Sequence, residues 1–259
     1  MPQKAQDDAF EPSSQNKRAA IITGASSGIG LAVSRRLADM DYEVFGIGRN
    51  FTDDPLWQKA ALHPIVCDLL NTEQLCSKIR QIKSQNPVHV LVNNAGVGYY
   101  GLHEELNPEK IKQLVRINLE APMILSQQLL RDLKKQKGYV INIASVTAYK
   151  TNPHGCAYGA TKAGLASFSA SLFEEARKYG VKVVTISPDM TRTNLYRNAD
   201  FCEGDDIDTF LLPEEIADAV AFILNQRDGI AITELTVRPQ RHQINKQKRN
   251  SDKRRTTYE

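Results

Sequence analysis

The chain has little of what marks several common protein classes. Its four cysteines, Cys67, Cys76, Cys156 and Cys202, match no metal-ligand spacing, and a chain of 259 residues needs no disulfide framework. They read as reduced thiols in a cytoplasmic protein, and no metal site is expected. No apolar run approaches the length of a membrane span. Met1–Lys17 is polar and lacks the apolar core of a secretory signal, so it reads as a flexible N-terminal segment. Internal repeats and internal linkers are also missing. What is present, 41% apolar residues before 15 glycines are counted, suits one large α/β domain over residues 18–237.

Charge is unevenly placed. Arg238–Glu259 holds eight Lys/Arg against two Asp/Glu, a tail of +6, which leaves −3 for the rest of a chain whose net charge is +3. The tail has few apolar residues and reads as disordered. Charge alone would draw it to nucleic acid or an anionic membrane, but a solvated tail is the plainer reading. Neither partner is expected.

The apolar run Ala19–Thr23 predicts a buried strand, and Leu31–Met40 shows helical periodicity. Between them lies Gly24-Ala-Ser26-Ser27-Gly28-Ile29-Gly30. Glycines there let the backbone approach a pyrophosphate, and the helix N-terminus offers free N–H groups and a positive dipole end. A second strand is predicted over Tyr42–Ile47, which closes a right-handed βαβ unit. An acidic residue at its end would bind the ribose 2′-hydroxyl of NAD. Arg49 stands there instead and can face a 2′-phosphate, which favours NADP(H) over NAD(H).

Ile65–Leu69 predicts a third strand containing Asp68, which either accepts from the adenine amino group or begins the turn before a helix at Thr72. Val88–Val92 predicts a fourth, followed directly by Asn93-Asn94-Ala95-Gly96, where Asn94 can hold neighbouring strands together. Pro108–Leu119 and Pro122–Lys135 read as helices, with Asn118 interrupting the apolar face of the first; a core-satisfied amide is the default for it. A fifth strand over Tyr139–Ile143, a long helix over Ala157–Tyr179 and a sixth strand over Val181–Ile186 follow. Asn194–Leu212 has no clear periodicity and reads as a lid. Pro213 opens a helix running to about Gln226, and Ile230–Val237 predicts a last strand. Alternating strands and helices give an α/β fold with a Rossmann-type, doubly wound parallel sheet in a single domain.

Tyr158 and Lys162 sit four residues apart, which puts both on one helix face. A lysine ammonium there would favour the phenolate. A tyrosine tuned downward exchanges a proton with an alcohol oxygen, and Ser145 can return in space to bond the same oxygen.

In order, Thr23-Gly24-x-x-x-Gly28-x-Gly30, Asp68, Asn93-Asn94-Ala95-Gly96, Asn118, Ser145, Tyr158-x-x-x-Lys162 and Pro188 with Thr193 resemble the short-chain dehydrogenase/reductase family over roughly Arg18–Val237. The resemblance implies a catalytic set of Asn118, Ser145, Tyr158 and Lys162. It places Gly24, Ser26, Ser27, Gly28, Ile29 and Gly30 around the pyrophosphate and adenosine ribose, and Asp68 and Leu69 at the adenine. Asn94, Ala95 and Gly96 lie along the dinucleotide, Lys162 holds the nicotinamide ribose, and Pro188 and Thr193 border the nicotinamide or a phosphate. Asn118 would disrupt helical bonding and position a water that relays protons to Lys162. The implied activity is hydride exchange between NADP(H) and a small carbonyl or alcohol substrate, in a homodimer or homotetramer. The alternative is a dinucleotide-binding redox sensor without turnover. Three departures stand out: Ala148 replaces a common glycine, Pro188-Asp189-Met190 lacks the usual Pro-Gly, and the last strand runs into the basic tail. Tyr99, Tyr100, Tyr149, Met190 and Tyr196 fall on loops near the expected substrate end, and His154 reads as a solvated loop histidine.

Overall fold

The computed structural model describes residues 17–51 and 55–246; the segment before Lys17 and the tail beyond Lys246 lie outside the described residues. In chain order the elements are β1 (Ala19–Thr23), α1 (Gly28–Asp39), β2 (Glu43–Gly48), β3 (Leu62–Val66), α2 (Thr72–Gln85), β4 (Val88–Asn93), α3 (Pro108–Val115), α4 (Ala121–Gln136), β5 (Tyr139–Ile143), α5 (Cys156–Ala176), β6 (Lys182–Pro188), β7 (Phe201–Glu203), α6 (Pro213–Leu224), β8 (Glu234–Val237) and β9 (Ile244–Lys246). Seven strands form one sheet in the order β3-β2-β1-β4-β5-β6-β8, every neighbouring pair parallel. The order reverses between β1 and β4, so a crevice opens at their carboxyl ends.

Both faces of the sheet are covered, which is why its central strands read as unbroken apolar runs. Ala20 and Ile22 of β1 face a core completed by Val33 and Leu37 of α1 and Ile216, Val220 and Ile223 of α6. Their neighbours Ala19 and Ile21 face the opposite core, with Ile79 of α2, Leu129 of α4 and Leu172 of α5. Leu165 of α5 is buried as well, and Phe168 and Phe173 pack against the core that holds Leu172. Helix starts follow local chemistry: Asn71 accepts from Gln74 N at 3.0 Å, Asn107 from Lys110 N at 2.9 Å, and Glu215 from Leu212 N at 2.8 Å. Among the described residues no helix is long and apolar enough to cross a membrane.

Several boundaries differ from those predicted. The third strand lies at Leu62–Val66 rather than 65–69, because a sheet edge tolerates Pro64 and leaves Val66 61% exposed. The final strand shrinks to Glu234–Val237. The helix predicted over Pro108–Leu119 ends at Val115 and passes through a π-helical turn, Arg116–Glu120, into α4.

The presumed tail also folds further than its charge suggests. Strand β9 pairs antiparallel with β7 inside the expected lid. Arg241 donates to Asp206 and Asp208 at 2.6 Å each. Asp189, standing where a glycine is usual, lies 3.9 Å from both Arg238 and His242. The second and third departures from the family pattern are therefore linked: the substituted acid faces the extended C-terminal segment.

At the opposite end of the sheet, His89 is buried between Tyr42 and Tyr139, with ring centroids at 5.8 and 5.5 Å. Its Nδ1 is 3.1 Å from the Tyr42 hydroxyl. Burial, then the nearby Arg18 and Lys182 cations, push His89 down to about 4 from 6.5, so the fold holds it neutral. The unfolded chain binds this proton below pH ~6.5 and the folded one only near 4, so stability is present above that window and falls as pH drops through it. We expect the loss in unfolding free energy between pH 7 and 4.5, read by urea titration, to shrink by about 2–3 kcal/mol in His89→Gln. An unchanged loss would contradict the assignment.

Candidate active site

Thr23 joins the two strands at the crevice. Its hydroxyl oxygen accepts from Asn94 N at 3.1 Å and Ala95 N at 3.0 Å, while the Asn94 amide donates to Thr23 O at 2.9 Å and Gly24 O at 3.3 Å. The glycine turn and the Asn94 segment are thus one rigid unit, as the position of Asn94 after β4 suggested. Gly30 packs where no side chain fits: a Cβ there would stand 2.2 Å from Gly24 O and 2.6 Å from Asn94 Nδ2. The turn is therefore drawn tightly over the N-terminus of α1, whose free N–H groups face the crevice.

One cleft runs from this turn to the end of β5. Of the residues singled out from the sequence, Gly24, Ser26, Ser27, Gly28, Ile29, Arg49, Asp68, Leu69, Asn94, Ala95, Gly96, Ser145, Tyr158, Lys162, Pro188 and Thr193 line it. Gly30 and Asn118 do not appear in its wall; both act from behind it. Asp68 builds the turn before α2, accepting from Leu70 N at 3.0 Å, and also borders the cleft. Thr193 accepts from Leu195 N at 3.3 Å, which turns the chain beside the glycine loop.

Asn118 occupies the π-helical turn, where its amide is fully used. It accepts from Val97 N at 2.9 Å and donates to Val97 O at 3.0 Å and to Thr161 Oγ1 at 3.2 Å. The amide thus pairs with the Val97 backbone as a strand would, and ties the segment after β4 to α5. A π-helical turn of this kind commonly marks a functional position.

Helix α5 is fixed to β5 by buried polar contacts. Asn93 donates to Asn142 at 2.7 Å, and Asn142 to Ser169 at 2.7 Å. Lys162 Nζ donates to Ile143 O at 2.8 Å. These contacts place Tyr158, in the first turn of α5, against Ser145 just past β5. Tyr158 is 4% exposed, Lys162 3% and Ser145 9%. Ser145, whose Oγ accepts from Thr147 N at 3.2 Å, borders the same cleft as Tyr158.

The electrostatics correct one expectation. Burial pushes the Tyr158 phenol up to about 12, against the smaller lowering by hydrogen bonds from Ser145 and Tyr100. Burial likewise pushes Lys162 down to about 8. Lys162 Nζ is 5.8 Å from the Tyr158 ring centroid, and its field does not outweigh the loss of water around both groups. Spacing along a helix showed the two side chains together but carried no information about their depth. The site holds a neutral phenol with a proton to give.

Tyr100 and Tyr196, read from the sequence as loop aromatics near the substrate end, do reach the site, and Arg197 is a contributor that the sequence reading did not name. Tyr100 and Tyr196 pack with Tyr158 and Phe201 over the end of the cleft. Arg197 and Tyr196 line it. Of the other loop aromatics, Tyr99 packs against the same cluster and donates to Gln113 at 2.7 Å, while Tyr149 is 55% exposed. His154 is exposed, as read from its loop position.

A profile of the short chain dehydrogenase family matches residues 18–201. An uncharacterised oxidoreductase of Staphylococcus epidermidis is 30% identical over 236 residues, 86% of this chain and 97% of that protein. The X-ray structure of an alcohol dehydrogenase from the archaeon Thermococcus sibiricus, complexed with 5-hydroxy-NADP, is similar with a TM-score of 0.77 at 26% identity, covering 88% of this chain and 99% of that one. A 4-hydroxyisoleucine dehydrogenase complexed with NADH and succinate gives 0.75 at 26% identity, over 85% and 97% of the two chains.

The packing at Gly30 generates a direct test. Gly30→Ala must spread the turn against backbone atoms, so we expect at least ~10-fold weaker binding of a nicotinamide dinucleotide, about 1.4 kcal/mol or more, together with a lowered Tm. Fluorescence titration and a thermal scan check this; wild-type affinity would show that the turn does not shape the dinucleotide site.

Proposed function

The chain belongs to the short-chain dehydrogenase/reductase family, and we propose that it is an oxidoreductase moving hydride between NADP(H) and a carbonyl or secondary alcohol, with Tyr158 as general acid and base. One observation carries this reading: a tight glycine turn and a buried Ser145–Tyr158 hydroxyl pair open into the same cleft. A regulator that only binds dinucleotide has no need of the second.

The residues fit a nicotinamide dinucleotide. The Gly24–Gly30 turn and the N-terminus of α1 would hold its diphosphate. Lys162, a buried cation bordering the cleft, would meet the nicotinamide ribose hydroxyls. The bound dinucleotide supplies or accepts the hydride. Solved relatives are complexed with either an NADP derivative or NADH, so the choice of cofactor rests on this chain's own Arg49. Arg49 is exposed at the cleft wall after β2 and offers a planar fork to a 2′-phosphate.

In the reducing direction Tyr158 gives its proton to the carbonyl oxygen as negative charge develops there, and the Ser145 hydroxyl lies beside the same oxygen. A phenol held neutral up to about 12 is ready for this at any ordinary pH. In the oxidising direction Tyr158 must first lose its proton, so alcohol oxidation should rise with pH while carbonyl reduction stays flat.

Tyr158→Phe should lower turnover ~10²–10⁴-fold, the scale of a lost general acid, while NADPH still binds. Steady-state rates on a panel of aldehydes, ketones, steroids, sugars and β-ketoacyl thioesters check this; retained activity would remove Tyr158 from the acid's role. Arg49→Asp should shift the kcat/KM ratio at least ~10-fold toward NADH through loss of a charge-assisted bond. An unchanged ratio would take Arg49 out of the cofactor site.

A further inference from the structure

The segment after β8 turns back across the substrate end of the cleft. Strand β9 pairs antiparallel with β7, Phe201 opposite Lys246 and Glu203 opposite Ile244. Before β9, Arg241 N donates to Asp208 O at 2.9 Å. The Arg241 guanidinium donates to Asp208 Oδ2 at 2.6 Å, to Asp208 Oδ1 at 2.7 Å and to Asp206 Oδ2 at 2.6 Å. The approach at Gly204 is close: a Cβ there would stand 3.1 Å from Gln243 Cβ. The other end of the segment is tied to the cleft wall. Asp189, which borders the cleft, donates from its N to Val237 O at 2.9 Å, and its carboxylate lies 3.9 Å from both Arg238 and His242.

What the segment holds is the aromatic cover. Phe201 of β7 packs against Tyr100 at 5.0 Å and Tyr196 at 5.5 Å, and Tyr100 packs against Tyr158 at 5.6 Å. The loop carrying Phe201 and Tyr196 is closed at its base, where Arg192 N donates to Leu211 O at 2.8 Å and Leu211 N to Met190 O at 2.7 Å. Within the loop, Arg192 also reaches Glu203 at 3.1 Å. Its outer part, β7, has β9 as its sheet partner. Two strands of three residues each are not stable by themselves. An exposed ion pair adds little singly, but a planar fork across two acids fixes a geometry. The Arg241 fork is thus what fastens the outer loop to a segment anchored at the cleft wall.

We propose that residues 238–246 are a clasp that sets where the aromatic cover stands over Tyr158, with Arg241 as its positioning residue; its effect on substrate rests on the oxidoreductase reading above. Opening the clasp frees β7 and the rings it carries, while the parallel sheet and the glycine turn keep their own contacts.

The test begins without any substrate. Hydrogen exchange of the full-length chain, read by mass spectrometry, compares amides 201–203 with those of β5. In Arg241→Gln, exchange at 201–203 should quicken ~5-fold while β5 and the Tm stay near wild type. Unchanged exchange at 201–203 overturns the proposal, as does a rise shared by β5 with a lowered Tm. Asp206→Asn/Asp208→Asn should have the same effect, and adding Arg241→Gln to it should add nothing. A combined effect equal to the product of the two would show Arg241 acting through other groups, against the proposal. In steady-state kinetics at saturating dinucleotide, Arg241→Gln should raise KM for a carbonyl substrate ~5-fold, with kcat and dinucleotide affinity within about 2-fold of wild type. An unchanged KM would contradict the clasp's hold on the substrate end. If the wild-type protein turns over no carbonyl or alcohol, the oxidoreductase reading fails, and the exchange measurement still decides whether Arg241 fastens β7.

Discussion

The site depends on a phenol and an ammonium taken out of water together. Burial raises the proton affinity of Tyr158 and lowers that of Lys162, so each is driven toward its neutral form. Carbonyl and hydroxyl dipoles offset the cost. Ile143 O accepts from the lysine head, and hydrogen bonding from Ser145 and Tyr100 offsets part of the phenol's rise. Ile143 and Ser145 lie at the end of β5 and Tyr100 after β4, so the pair exists only where β5, α5 and the segment after β4 are locked together. The buried contacts from Asn93 through Asn142 to Ser169, and from Asn118 to Val97 and Thr161, supply that lock.

The same economy shapes the other end of the cleft. Reversal of strand order between β1 and β4 leaves backbone groups at their carboxyl ends without a sheet partner, and Thr23 and Asn94 satisfy them. What faces the cleft is then mostly backbone and small side chains, which suits a long polyanion lying across the sheet. Over the substrate end the arrangement changes. Tyr100, Tyr196 and Phe201 form an aromatic cover, and β7, which carries Phe201, is held by β9 and the Arg241 ion pairs.

Much of this was legible in residue order. The runs over β1, β4 and β5 are buried on both faces, so their patterns survive without context. The glycine turn and the Tyr158–Lys162 spacing are local, and the structure brings them into one cleft. Properties set by distant groups were not legible. The Tyr158 phenol is shifted upward, because depth beneath Tyr100 and Tyr196 is a tertiary property that helical spacing does not encode. Arg241 reads as tail charge until Asp206 and Asp208, more than thirty residues earlier, are found opposite it. Pro64 hides an edge strand that only its place at the sheet margin permits. Tyr100 carries no motif; its place against Tyr158 comes from a ring that lies beside Gly98.

The central claim is that a neutral, buried Tyr158 hydroxyl stands beside the reacting oxygen with its proton directed at it. The most direct measurement is a crystal structure of the full chain with NADP bound and an unreactive ketone or alcohol that the enzyme accepts as an inhibitor. The account predicts the ligand oxygen within hydrogen-bond distance, roughly 2.6–3.2 Å, of Tyr158 Oη, with its carbon facing the nicotinamide ring. A ligand oxygen held elsewhere, with Tyr158 out of reach even through one water, would contradict it.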